Sequence, residues 1–282
     1  MLPNLRRDRP IGLIAGTGNF PRLLARAATD QGFRVEAFAI ERVTDPELAE
    51  DVSAIHWLHL GQFGRLIEIC HERRVETLAM AGAVPHTAIF RYRGFDPRSL
   101  KILSRAANLK ADSILGAVTA ELAREHIEVL DSTLFLRSLM PKRGLLTPRR
   151  RLSQSEKQDI RFGMPIAKEI GRLDIGQSVA VKDRAVVAVE SLEGTDAMIQ
   201  RAGRLAGPGC VICKVAKPEQ DSRFDVPVIG LETVRAMVRA SATVLAIEAG
   251  ATLFFQQEEA LRLAHGNRIA IFAGVVATAG PA

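Results

Sequence analysis

The stretch Ile11-Gly-Leu-Ile-Ala-Gly-Thr-Gly-Asn-Phe-Pro21 passes from a short apolar run to a glycine-rich turn, then to a proline. An apolar run of this length bounded by turn residues reads as a buried strand. Pro21 suits the first turn of a helix, where its missing amide would have been unpaired anyway. Residues 21–31 carry Leu23, Leu24 and Ala27 at helical spacing. Strand, glycine turn and helix in this order open a nucleotide-type α/β fold. There the glycines let the backbone approach a phosphate, and helix N-terminal amides stabilise its charge. Gly16, Thr17, Gly18 and Asn19 are therefore candidate phosphate contacts. Glu41 follows a second strand-like run at residues 35–40, near the place a dinucleotide fold keeps its ribose acid. Pro21 replaces the third glycine of that fingerprint. Phosphate-group binding is the first reading of the loop, ahead of dinucleotide binding and of a plain tight turn.

The rhythm continues outward from this stretch. Residues 54–60 and 77–81 read as strands, the latter ending at Gly82, which joins the substrate-contact candidates. Residues 62–73 form a helix with Phe63, Leu66, Ile67 and Cys70 on one face, and further helices lie near 96–107 and 112–125. Alternation of this kind predicts a parallel sheet with ligands at the carboxyl ends of its strands. Residues 139–155 hold Pro141, Gly144, Pro148 and the run Arg149-Arg150-Arg151 without periodicity, the signature of a linker. Ser153 and Glu156 then make a capping box that opens a helix to about residue 170. Beyond it the pattern changes. Residues 178–181 and 185–189 alternate like strands joined at Lys182-Asp183-Arg184, a hairpin signal. A helix follows Thr195, a strand spans 210–215, helices cover 233–240 and 256–264, and 269–272 closes the chain as a strand. The expected fold is α/β: an N-terminal Rossmann-like parallel-sheet domain over residues 1–138, a basic linker over 139–155, and a C-terminal mixed α/β domain over 156–282.

Bulk properties agree with two globular domains. The chain has 282 residues, 47% of them hydrophobic and 25% charged, enough for sizeable cores. No apolar run approaches the roughly 18 residues a membrane-spanning helix needs. The basic N-terminus lacks a leader pattern, so a cytoplasmic location is expected. Three cysteines fit a reducing compartment, and the lone Cys210-Val-Ile-Cys213 reads as two small residues on a buried strand. His56 and His59 lie on opposite faces of a strand and make a poor metal clip.

The net charge of +6 is uneven, with basic stretches at 140–151 and 86–110. Such stretches attract phosphates, nucleic acid or anionic membrane surfaces. Among them, Ile89, Phe90, Tyr92 and Phe95 stand beside Arg91, Arg93, Arg98 and Lys101, a mixture that suits a lipid phosphate or a bilayer surface, with core packing of the aromatics as the alternative.

The acids carry more information. Glu190, Glu193 and Asp196 cluster in Val189-Glu-Ser-Leu-Glu-Gly-Thr-Asp196, after an apolar strand and at the start of a helix. Asp225 follows in Arg223-Phe-Asp-Val-Pro227, and Lys214 and Lys217 flank the end of the strand between them. Carboxylates and lysines at strand ends suit an oxygen-bound divalent ion and an anionic substrate. Equally, Asp196 can serve the helix dipole alone and the others can be surface residues.

These motifs match a known family. Gly12-Leu-Ile-Ala-Gly-Thr-Gly-Asn-Phe-Pro21, Ala188-Val-Glu-Ser-Leu-Glu-Gly-Thr-Asp-Ala-Met-Ile-Gln-Arg-Ala-Gly203, Lys214-Val-Ala-Lys-Pro218 and Phe224-Asp-Val-Pro-Val-Ile-Gly230 resemble the LpxI-type UDP-2,3-diacylglucosamine pyrophosphatases. The resemblance runs over nearly the whole chain. It implies hydrolysis of UDP-2,3-diacylglucosamine to UMP and 2,3-diacylglucosamine 1-phosphate in lipid A biosynthesis, with attack favoured at the sugar-side phosphorus. It implies Mg²⁺, with other divalent ions able to substitute, and a homodimer. Asp225 falls at the family's catalytic aspartate, and Thr195, Asp196 and Lys214 fall in its signature segments. The chain departs from the pattern at Lys110-Ala-Asp-Ser113, where a Gly-Asp-Asp-like run is expected and Asp112 alone remains.

The expected site therefore lies between the domains. Asp225, Asp196 and Lys214 are its catalytic candidates, and Asp225, Asp196 and Glu190 its metal ligands. Gly16, Thr17, Gly18, Asn19, Gly82, Asp112, Thr195 and Lys217 are its substrate contacts. The expected partners are the UDP-linked diacyl sugar and, peripherally, the inner membrane surface. No nucleic acid is expected, because the acids would repel a phosphate unless a cation intervened. Two rival readings stand beside this one: an NAD(P)-dependent oxidoreductase, from the glycine loop and Glu41, and a non-catalytic lipid-sugar phosphate binder, from the basic stretches.

Overall fold

The computed structural model describes residues 5–84, 94–106, 111–218 and 220–276, and of residues 111 and 112 only the backbone. The chain divides into two compact units, Met1–Leu136 with Asp221–Asp225, and Arg137–Gln220 with Val226–Ala282. Among the described residues no helix is long and apolar enough to cross a membrane.

Unit 1 is built on β1 (Ile11–Ala15), β2 (Val35–Ile40), β3 (Ala54–Leu58), β4 (Thr77–Ala81) and β5 (Glu128–Val129). All its pairings are parallel, in the order β3-β2-β1-β4-β5. The chain builds outward from β1 to β3, then returns to place β4 on the other side of β1. That reversal is a topological switch point, the position at which open α/β sheets take their ligands. Helix α1 (Phe20–Asp30) buries Leu24, Ala25 and Ala28. Helices α2 (Phe63–Arg73), α3 (Pro97–Arg105) and α4 (Ala111–Arg124) follow. Leu66, Ile67 and Cys70 of α2 and Leu122 of α4 share one core with Phe38, Leu78 and Met80. Asp96 holds two helix starts, accepting from Ser99 N at 2.6 Å and from Gly64 N at 2.7 Å. Each bond satisfies an amide that a helix N-terminus otherwise leaves orphaned.

Unit 2 carries β6 (Gly144–Leu145), α5 (Gln154–Arg172), β7 (Ser178–Lys182), β8 (Ala185–Val189), α6 (Thr195–Ala206), β9 (Val211–Lys214), β10 (Val228–Ile229), α7 (Leu231–Ala240), β11 (Val244–Glu248), β12 (Leu253–Phe254), α8 (Gln257–Gly266) and β13 (Ala270–Gly274). Its six-stranded sheet runs β6-β13-β11-β9-β7-β8, and β10 pairs with β12 separately. The sheet is mixed: β9, β11 and β13 are parallel, while β6, β7 and β8 add antiparallel pairings. Strand alternation sorts its two faces. Val211, Cys213, Val244 and Ala246 meet Ile160, Met164 and Ala167 of α5. Ile212, Leu245 and Ile247 face the opposite core with Met198 of α6, Met237 of α7 and Ala260 of α8.

The predicted capping box is present, with Ser153 Oγ accepting from Glu156 N and Glu156 Oε2 accepting from Ser153 N at 2.8 Å. Cys210 and Cys213 are free and buried, as their spacing suggested, and burial pushes both thiols up. Three features differ from the sequence reading. The basic stretch read as a linker contributes the edge strand β6, and Thr147 Oγ1 accepts from Ile271 N at 3.0 Å. Arg150 within it pairs with Glu156, so part of its charge is spent inside unit 2. Strand β11, central to the sheet, drew no strand assignment from the sequence. It is buried on both faces, which removes the alternation that marks a strand. Asp221–Asp225 lies in unit 1, not with the C-terminal acids it neighbours in sequence.

Candidate functional site

In unit 1, the carboxyl ends of β1 and β4 are joined backbone to backbone. Gly16 N donates to Ala81 O and Thr17 N to Ala83 O, both at 2.8 Å. Thr17 Oγ1 also donates to Ala83 O, at 3.0 Å, so this hydroxyl is used to tie the two loops. The approach is possible only for glycine. A Cβ on Gly16 would stand 2.5 Å from Ala83 O, and one on Gly82 would stand 2.5 Å from Thr17 O with φ at +84°. Gly18 differs: a side chain there would meet nothing within 4 Å, so its backbone faces open space. Asn19 makes no side-chain cap for α1. The start of α1 therefore lies next to an open glycine with no cap from Asn19, a setting in which helix amides can take a phosphate. Glu41 sits after β2 with its carboxylate 3.1 Å from His59 Nδ1.

Asp225 enters the same unit through a turn. Asp221 O accepts from Phe224 N at 3.1 Å and from Asp225 N at 2.9 Å. Arg223 beside Asp221 holds that carboxyl below the usual carboxylate range. Ser132, just beyond β5, anchors the turn. Its amide donates to Ser222 O at 3.0 Å, and its hydroxyl reaches both Met80 O, at 2.5 Å, and Arg223 O, at 2.6 Å. Phe224 packs against the unit 1 core. The turn carrying half-buried Asp225 is therefore tied through Ser132 to Met80 of β4, the strand that Gly82 follows. Asp112 lies in α4, but its side chain is outside the described residues, as are Ile89, Phe90 and Tyr92.

In unit 2, the candidates gather where β8 and β9 end. Register places Ser178 opposite Lys214, and Glu190 N donates to Ser178 O at 2.9 Å. Thr195 opens α6 after Gly194, whose φ is +81° and which offers no side-chain cap. The Thr195 hydroxyl donates to Glu190 Oε1 at 2.6 Å and accepts from Lys214 Nζ at 2.7 Å. Gln177 N donates to Glu190 Oε2 at 3.3 Å. Glu190 and Lys214 are buried, at 7% and 6% exposure, so this is an acid–hydroxyl–ammonium chain largely removed from water. Asp196 is half-buried in the first turn of α6. Glu193 turns aside to Arg201, which holds its carboxyl low. Lys217 Nζ donates to Asp174 at 3.0 Å.

Both halves of this arrangement have counterparts in known proteins. The chain matches the family model for the LpxI N-terminal domain over residues 10–139 and that for the LpxI C-terminal domain over residues 142–272. The chain belongs to the LpxI family. The UDP-2,3-diacylglucosamine pyrophosphatase LpxI of Caulobacter vibrioides is 32% identical over 272 residues, which cover 91% of this chain and 94% of that one. Among solved structures, the biotin carboxylase domain of 2-oxoglutarate carboxylase from Hydrogenobacter thermophilus aligns at 12% identity and a TM-score of 0.28. The alignment covers 82% of this chain and 40% of that one. An ADP complex of N5-carboxyaminoimidazole ribonucleotide synthetase aligns at 14% identity and a TM-score of 0.27, covering 79% and 48%. This chain spans less than half of either structure, and likeness that weak carries no argument.

Against the LpxI motifs, the structure brings Glu190, Thr195 and Lys214 into one bonded chain and leaves Asp225 on the other unit. Lys217 is tied to Asp174. Sequence reasoning missed the residues that pin these groups. Glu248 Oε2 accepts from Ala216 N at 2.9 Å, and Lys168 Nζ donates to both Glu248 and Ala216 O at 2.8 Å, fixing the loop between Lys214 and Lys217. Ser132 fixes the Asp225 turn from about ninety residues away. Neither Glu248 nor Ser132 has a local motif by which it could be found.

Among the described residues no group of three or more His, Cys, Asp and Glu side chains is placed to hold a metal. The available donors are carboxylate oxygens. Mg²⁺ is commonly bound through one or two carboxylates plus substrate phosphates, keeping several waters. Asp225 in unit 1 and Asp196 in unit 2 each offer such a carboxylate, and among the described residues neither unit gathers three such donors.

Proposed function

We propose that this chain hydrolyses the pyrophosphate of UDP-2,3-diacylglucosamine, giving UMP and 2,3-diacylglucosamine 1-phosphate on the way to lipid A. The observation that carries the reading is the buried ammonium of Lys214, set through Thr195 at the uncapped start of α6. A fixed cation beside helix amides is a site for a phosphoryl group. Its place in a chain 32% identical to an LpxI pyrophosphatase supports UDP-2,3-diacylglucosamine as the substrate.

In this reading Lys214 offsets charge on the transferring phosphoryl group, Thr195 holds that ammonium in place, and the first-turn amides of α6, that of Thr195 among them, orient the phosphoryl oxygens. Gly18 and the start of α1 bind another phosphate oxygen, with Gly16 and Gly82 setting the loop. Asp225 orients the attacking water and accepts its proton as the new P–O bond forms and the bridging P–O bond breaks. Asp225 and Asp196 would hold Mg²⁺, which when bound neutralises pyrophosphate charge. The protein would work in the cytoplasm, as a homodimer in peripheral contact with the inner membrane.

Purified protein incubated with UDP-2,3-diacylglucosamine and Mg²⁺ should release UMP, read by chromatography, and excess EDTA should stop it. Absence of UMP release by folded protein would sink the reading; full activity in EDTA would remove the metal from it.

A further inference from the structure

We propose that Glu190 is a positioning residue, holding Thr195 and through it Lys214, and is not a ligand of the divalent cation. The inference rests on the pyrophosphatase reading above for the role of Lys214, and on geometry for the rest. Both carboxylate oxygens of Glu190 already accept hydrogen bonds, Oε1 from the Thr195 hydroxyl at 2.6 Å and Oε2 from Gln177 N at 3.3 Å. A threonine hydroxyl has one proton. Donated to Glu190, it leaves the oxygen lone pairs to accept the Lys214 ammonium, at 2.7 Å. Ser178 Oγ lies 3.5 Å from the same hydroxyl oxygen. The carboxylate therefore sets the direction of the hydroxyl dipole, and that dipole sets where the ammonium sits.

Charge balance supports the same assignment. Glu190 and Lys214 are both more than nine-tenths buried. Buried charges persist when paired and hydrogen-bonded. Here the opposite charges are linked through one intervening hydroxyl. Turning Glu190 toward a cation would strip Thr195 of its acceptor and remove an acceptor from Gln177 N. A hard cation such as Mg²⁺ dehydrates reluctantly and keeps several waters. Asp196 is only half-buried and reaches solvent, as a ligand of such a hydrated ion does, whereas Glu190 is 7% exposed.

Glu190→Gln separates the two roles. The glutamine amide can donate to Thr195, reverse its hydroxyl and turn a proton toward the Lys214 ammonium. The expected result is a kcat lower by roughly tenfold to a hundredfold, the usual effect of disturbing a supporting shell. The Mg²⁺ concentration for half-maximal activity should stay unchanged. Thr195→Val should cause a similar loss, Thr195→Ser should restore most of the rate, and the double variant E190Q/T195V should be no worse than either single one.

Two measurements do not depend on turnover. Binding of inorganic pyrophosphate by calorimetry, without metal, should weaken in E190Q and T195V but not in T195S. Binding of Mn²⁺, followed by electron paramagnetic resonance, should be the same in E190Q and wild type. A tenfold rise in the Mg²⁺ requirement or weaker Mn²⁺ binding in E190Q would overturn the proposal. So would unchanged pyrophosphate binding in E190Q and T195V when thermal melts show both folded. Lack of UMP release by the wild type, with the pyrophosphate binding pattern as expected, would instead count against the substrate assignment alone.

Discussion

Asp225 shows how far single-residue chemistry could be read and where it stopped. Its carboxylate stood out by type and motif, but the turn that carries it is tied through Ser132 to Met80 of β4. That turn is held by backbone groups and by the Asp221–Arg223 pair, and an asparagine of nearly the same shape keeps an acceptor oxygen at position 225. Asp225→Asn should therefore leave the thermal melt nearly unchanged and lower UMP release by several orders of magnitude, on the order of 10³. Glu36 illustrates a buried acid with a structural role. It is nearly inaccessible on β2, bonded to Arg73 at 2.8 Å and to His56 at 2.7 Å. Burial pushes its carboxyl up, but Arg73 and His56 together outweigh burial and hold it below the ordinary glutamate value. A depressed folded pKa stabilises the fold fully above the unfolded value, about 4.3. That contribution is lost as pH falls through the folded value. Arg73→Ala should lower stability at pH 7, and only modestly because the Arg73 side chain is half exposed. Urea titrations should show the difference from wild type narrowing below about pH 4, as Glu36 protonates.

At the scale of elements, periodicity and turn chemistry placed most helices and strands to within a few residues. The hairpin at Lys182-Asp183-Arg184 was legible from alternation alone, though its turn is unusual. Asp183 and Arg184 both have positive φ, at +51° and +59°, where two-residue hairpins favour Asn and Gly. The compensation comes from α5: the carboxylate of buried Asp159 accepts from Asp183 N at 3.1 Å and Arg184 N at 2.7 Å. Asp159→Ala should destabilise unit 2 by about 2–3 kcal/mol, a charged acceptor lost from two amides. Denaturant melts would measure it, and hydrogen exchange should quicken first in β7 and β8. Strand β11 escaped the sequence reading for a related reason. Val244-Leu-Ala-Ile-Glu248 is buried on both faces, and a short continuous apolar run does not distinguish strand from helix. Only pairing with β9 and β13 decides it.

At the scale of the whole molecule, the chain leaves unit 2 after Gln220, contributes five residues to unit 1, and returns at Val226. Phe224 in that excursion packs against the core formed by α2, α4 and the sheet. Phe224→Ala should cost about 1–3 kcal/mol, the range for losing a partly buried aromatic side chain. The loss should appear in unit 1, although the substitution lies in the C-terminal half of the sequence. Hydrogen exchange should accelerate in β4 and β5 and stay unchanged in β9 and β11; the reverse pattern would show that the excursion supports unit 2 instead.

What the sequence alone determined was local. The glycine turn after β1, the capping box at Ser153 and the strand–helix alternation depend on residues within a few positions of one another. The acids and lysines that could serve a pyrophosphate declare themselves by chemical type and spacing. Tertiary structure decided which of them meet. Glu190, Thr195 and Lys214 form a single chain because register sets the ends of β8 and β9 on either side of the start of β7. Asp225 joins unit 1 because burial of Phe224 and the Ser132 hydroxyl, 91 residues away from Arg223, fix its turn there. Burial and hydrogen-bond satisfaction act across the folded molecule, so no window of sequence contains them.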